Sequence, residues 1–169
     1  MQQTDLTRRA WLVAAARIVA SGSALAALGA LRATPAAAES AAAPRPIVVY
    51  KDPDCGCCKA WVEHLRKNGF APDARDRTDM DSLKDSLGIP TGLRSCHTAV
   101  IGHYLIEGHV PASDITRLVA KKPKGVVGLA VPGMPTGSPG MEMPGARPER
   151  YNVMAFGPTG AATVFATHG

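Results

Sequence analysis

Three cysteines fall within four residues, Cys55-Gly56-Cys57-Cys58, at the join between a strand pattern and a helix pattern. Ahead of them, Pro46-Ile47-Val48-Val49-Tyr50 is a short β-branched and aromatic run closed by the turn formers Asp52-Pro53-Asp54. Behind them, Cys58, Trp61, Val62 and Leu65 recur at helical spacing, and Asn68-Gly69 supplies a stop. Any fold for this chain must place a sulfur-rich loop at a strand-to-helix junction.

The remaining patterns narrow the fold. Phe70 to Arg77 suits a second strand, and Asp79 caps a helix carrying Met80, Leu83 and Leu87, ended by Gly88 and Pro90. Thr98–Ile101 and Tyr104–Glu107 flank Gly102-His103 as a hairpin. A last helix over Pro111–Lys121 shows Ile115, Leu118 and Val119 on one face, with Ser113 or Asp114 as its cap. This βαβα, hairpin, helix order predicts an α/β, thioredoxin-like single domain over residues 46–168. Leu129 to Pro144 is rich in Gly, Pro and Met and reads as a long loop outside helix and sheet. Tyr151–Phe156 and Ala162–Ala166 form a terminal hairpin that pins this loop to the domain.

Charge and leader bear on location and partners. Arg8-Arg9 precedes an apolar or small run, Ile18–Leu31, which ends before Arg32 and the small-residue site Ala36-Ala37-Ala38. Fourteen residues are too few to span a bilayer, which takes about 20. Residues 1–38 therefore read as a signal peptide, and the arginine pair resembles a twin-arginine leader. An ordinary secretory leader and an uncleaved amphipathic anchor are the competing readings. Residues 39–45 form a flexible lead-in. The expected location is the periplasm, with no membrane association once the leader is cleaved. The net charge of +5 comes largely from the leader: residues 39–169 hold 15 basic and 13 acidic groups, spread along the chain. That leaves no concentrated basic surface for nucleic acid.

The cysteines carry the chemistry. A helix N-terminus favours thiolate, and thiolates ligate soft ions, Cu(I) first, with Zn(II) and iron–sulfur as competitors. Cys57 and Cys58 are adjacent and cannot readily share one tetrahedral ion with Cys55, which points to sulfurs bridging several ions. Cys96 lies before the third strand, where a thioredoxin-like fold brings a loop against the first motif. His97 beside it offers an imidazole as ligand or hydrogen-bond partner. His109 is either functional or a residue of the turn before the last helix. Met134 and Met141 on the loop offer thioethers, although methionines also fill gaps. Two structural disulfides are allowed by the even cysteine count, but bonds within Cys55–Cys58 would close tiny loops. A dithiol redox site also suits this position.

The Cys-Gly-Cys-Cys run, Ser95-Cys96-His97-Thr98-Ala99, Glu107-Gly108-His109-Val110-Pro111 and Leu129–Glu142 together resemble the domain-of-unknown-function 411 family, which includes copper-resistance proteins. The resemblance spans about residues 46–168 and implies a periplasmic, thioredoxin-like protein that binds copper through its cysteines. The expected metal residues are thus Cys55, Cys57, Cys58, Cys96, His97, His109, Met134 and Met141. The expected partners are copper ions and other periplasmic copper-handling proteins. A thiol–disulfide or copper redox oxidoreductase is the alternative function.

Overall fold

The computed structural model describes residues 43–169, so the leader and most of the lead-in lie outside the described residues. Chain order is β1 (Arg45–Lys51), α1 (Gly56–Lys67), β2 (Phe70–Asp76), α2 (Met80–Ser86), a 3-10 turn (Thr91–Leu93), β3 (Thr98–Ile101), β4 (Tyr104–Glu107), α3 (Ala112–Lys121), β5 (Gly128–Ala130), β6 (Tyr151–Phe156) and β7 (Ala162–His168). The seven strands make one sheet in the order β2-β1-β3-β4-β5-β6-β7. β1 runs parallel to β2 and antiparallel to β3, and β4 runs parallel to β5. No helix among the described residues is long and apolar enough to cross a membrane.

Pleating sends alternate side chains to opposite faces, and each face has its own cover. Ile47, Val49, Ala99, Ile101, Tyr104, Ile106, Leu129, Val153 and Ala155 pack with Trp61, Val62 and Leu65 of α1 and with Ile115 and Leu118 of α3. Leu105, Ala130 and Phe156 pack with Leu87, Ile89 and Leu93 from the α2 side. Fully burying a large apolar side chain contributes roughly 1.5–3 kcal/mol, so the first cluster holds α1, and with it the cysteine turn, in place.

Several expectations need correction. Leu129 and Ala130 are not loop: they form β5, which bridges β4 and the terminal hairpin. Three residues are too short to show a period, and their strand character comes from the partners that β4 and β6 supply on either side. The hairpin β6–β7 therefore extends the sheet. From Val131 to Arg150 the chain makes turns without regular elements. In α2 the fully buried side chain is Lys84, while Leu83 and Leu87 stay partly exposed. Asp79 does not cap α2 through its side chain, because its carboxylate pairs with Arg77. Neither Ser113 nor Asp114 caps α3. Pro111 is its N-cap, and the amide of Ala112 donates to Nε2 of His64 at the end of α1 (3.1 Å).

Candidate metal centre

Strand directions bring the cysteines together. β1 ends where β3 begins, with Tyr50 opposite Thr98, so the turn after β1 and the segment before β3 share one end of the sheet. The β3–β4 register pairs Ile101 with Tyr104 and Thr98 with Glu107. Extended past the strand ends, it sets His97 opposite Gly108 and Cys96 opposite His109. The Gly108 amide donates to the His97 carbonyl at 2.9 Å, as that register requires. Gly108 has φ +70, and a Cβ there would lie 2.5 Å from that of Ser95, so only glycine allows this approach.

Four sulfurs, Cys55, Cys57, Cys58 and Cys96, have ligand atoms within 4.8 Å of one another, and Cys96, His97 and His109 form a second such group. Cys96 is common to both. Its Sγ lies 3.9 Å from Cys57 Sγ, 3.3 Å from His97 Nδ1 and 3.1 Å from His109 Nε2. The Cys57 and Cys55 sulfurs are 3.5 Å apart. Cys58 is fully buried, whereas Cys57 and Cys96 are half-buried.

Cys55 and Cys58 are joined by a disulfide across Cα atoms 5.3 Å apart, and Cys57 and Cys96 are free. The objection to bonding within this run is thus overturned. It holds for sequence neighbours, but residues three apart on a first helical turn stand at ordinary disulfide separation. In this form two of the four sulfurs are unavailable as thiolates. Burial, then the charge of Cys57, push the Cys96 thiol up to about 12. A metal taken by Cys96 must displace its proton.

Both imidazoles are fully buried, and burial lowers both from their ordinary value, that of His97 well below 6.5. His109 Nδ1 lies 2.9 Å from the Pro139 carbonyl. A carbonyl only accepts, so the proton is on Nδ1 and the lone pair of Nε2 faces Cys96. His97 packs against Trp61 and edge-on to His109, with ring centroids 4.4 and 4.9 Å away. Its Nε2 is buried without any hydrogen-bond partner among the described residues, an uncommon state for a buried polar atom. A soft-sulfur and imidazole donor set of this kind fits a thiophilic metal.

The loop after β5 crosses this end of the molecule. Gly140 sits so close to α1 that a Cβ would lie 2.8 Å from both the Cys57 carbonyl oxygen and the Trp61 amide nitrogen. Met141 follows it, half-buried in the turn whose amide donates to Ser138, while Met134 is 54% exposed. The structure thus groups the four cysteines, His97 and His109, and leaves Met134 at the surface. Sequence reasoning missed the buried pair Lys84–Glu107 beneath this group, with Nζ 2.5 Å from Oε1. Lys84 lies in a helix register that otherwise shows Met80, Leu83 and Leu87, and an exposed lysine is the usual reading.

Fold and site together define a class: a mixed α/β domain bearing a cysteine–imidazole cluster at one end of its sheet. Residues 93–141 match the family described as "Protein of unknown function, DUF411". The structure is similar to two solved structures named copper resistance protein copG. For form 2 the identity is 46% and the TM-score 0.70, covering 75% of this chain and 99% of that one. For form 1 the values are 47% and 0.69, over 74% and 98%. No curated protein matches the chain. The chain belongs to the DUF411, copG-like family, and its cysteine cluster fits copper handling.

Proposed function

We propose that this protein binds Cu(I) through Cys55, Cys57, Cys58 and Cys96 when the Cys55–Cys58 disulfide is reduced, and serves copper handling or resistance. The convergence of four sulfurs within 4.8 Å, drawn from two separate segments, carries this reading. Four sulfurs at that spacing suit thiolates bridging more than one ion. His97 and His109 complete the donor set on the Cys96 side, and the half-buried Met141 of the covering loop offers a thioether, whereas Met134 stays at the surface outside the set. The thioredoxin-like classification is supported by the order β2-β1-β3-β4, with β1 parallel to β2 and antiparallel to β3, and by the disulfide at the start of α1. Export to the periplasm through residues 1–38 and contact there with other copper-handling proteins belong to the same reading.

Replacing Cys57 or Cys96 with Ser is expected to lower bound copper by at least half, measured by metal analysis after anaerobic reduction and gel filtration. Unchanged stoichiometry in either variant contradicts a shared site.

The disulfide beside a free thiol favours a second reading, a copper redox protein. Two Cu(I) ions give up two electrons and leave as Cu(II), and the disulfide takes those electrons and two protons to become two thiols. Anaerobic titration of the disulfide form with Cu(I) tests it. Two new thiols for every two Cu(II) support it, and no new thiols exclude it.

A further inference from the structure

Cys57 is carried by a helix, but Cys96 sits in the irregular segment Arg94–His97 ahead of β3. Neighbours hold that segment. The Ser95 amide donates to Glu107 Oε1 (2.7 Å), the Gly108 amide to the His97 carbonyl (2.9 Å), and the Gly133 amide to the Arg94 carbonyl (3.3 Å). Only the first of these uses a buried ionisable side chain. Glu107 and Thr98 are wholly inaccessible, and Lys84 is 2% exposed. Lys84 Nζ donates to Glu107 Oε1 (2.5 Å) and to Thr98 Oγ1 (2.9 Å), and Thr98 Oγ1 donates to Glu107 Oε2 (2.6 Å).

One carboxylate therefore grips the chain on both sides of Cys96-His97, at the Ser95 amide and at the Thr98 hydroxyl. Stability alone does not account for it. Removing both charges from water costs about as much as their attraction returns, and an apolar pair of similar volume is often as stable or more so. A buried pair of this kind is best attested where it fixes one arrangement among several. Here the arrangement it fixes is the seating of Cys96 opposite His109.

We propose that Glu107 is a positioning residue of the metal centre: through the Ser95 amide and Thr98 it holds Cys96 and His97 in register with His109, and Lys84 supplies the charge that accompanies it into the interior. The inference takes the meaning of the site from the copper reading, but its geometry stands without metal. Lys84 and Thr98 lie on the α2 face of the sheet, away from Cys57, so the pair reaches the cluster through the Cys96 segment, and Lys84 also through the effect of its charge on His97.

The test uses the full chain with Lys84→Met and Glu107→Leu combined (the double variant), and separately Lys84→Met and Glu107→Gln combined, which keeps an oxygen for the Ser95 amide and leaves no buried charge unpaired. In reduced, metal-free protein, the rate of Cys96 alkylation by iodoacetamide is followed by mass spectrometry, and urea unfolding checks that the fold remains. The double variant is expected to unfold cooperatively yet alkylate Cys96 several-fold faster. It is also expected to lose Cu(I) affinity by about 10-fold in a chelator competition, with the Lys84→Met, Glu107→Gln variant recovering most of that loss. A folded double variant with wild-type alkylation and wild-type affinity overturns the proposal. Should the double variant not fold, hydrogen exchange in the wild type decides: the Ser95 amide is expected to be protected like the β3–β4 amides, and exchange at the rate of an open loop overturns the proposal. A wild type that takes no Cu(I) defeats the copper reading, while alkylation still tests the positioning role.

Discussion

His109 illustrates how single residues divide their work. One nitrogen faces the Pro139 carbonyl and the other faces Cys96, so the loop that supplies the carbonyl sets which nitrogen turns its lone pair to the sulfur. The loop reaches that position because residue 140 has no Cβ. Gly140→Ala is expected to cost at least about 2 kcal/mol, since φ +85 disfavours any side chain and the contacts are fixed helix backbone rather than movable side chain. Urea unfolding reads the loss, and the imidazole signals of His109 in nuclear magnetic resonance should shift as Pro139 withdraws. An unchanged midpoint means that the loop does not rest on α1. Of the site residues, the cysteines were legible from their crowding, and His97 from its neighbour. Lys84 was not, because a buried network closed across three elements leaves no mark in a local period.

At the scale of elements, the hairpin was more informative than its expected outline suggests. A two-residue turn at Gly102-His103 pairs Ile101 with Tyr104, and counting back along both strands sets Cys96 opposite His109. The position of His109 beside Cys96 was therefore written in the turn, although residue type alone left it undecided. β5 was illegible for the opposite reason, since its strand character comes from β4 and β6 on either side. The link between α1 and α3 was hidden as well, because a histidine on one helix accepts the first amide of the other.

That link makes stability depend on pH. Burial is the chief cause lowering His64 from 6.5, with Lys67 acting in the same direction and Glu142 opposing it, and burial lowers His97 and His109 too. A ring whose folded value is lowered binds fewer protons folded than unfolded. Its contribution is thus fully present above about 6.5 and is lost as the solution is acidified below it. Urea midpoints of the reduced protein should fall between pH 7.5 and pH 5.5. They should fall less in His64→Gln, whose amide oxygen still accepts from Ala112. A variant slope equal to that of the wild type removes His64 from the account.

For the whole molecule, one end of the sheet collects what the chain holds far apart: the turn after β1, the segment before β3, the segment after β4 and the loop after β5. The βαβ start and the antiparallel hairpin make this convergence a matter of strand direction. That is why element order alone anticipated the meeting of Cys96 with the first motif. The oxidation state was beyond such reasoning: four cysteines at one site are compatible with metal or with a disulfide, and the fold brings Cys55 and Cys58 within bonding distance for either use.

Metal analysis of the anaerobically purified and reduced protein after gel filtration, with copper X-ray absorption on the same sample, tests the central claim most directly. The account predicts copper retained through the column in a first shell dominated by sulfur. No retained copper, or copper surrounded only by nitrogen and oxygen, contradicts it.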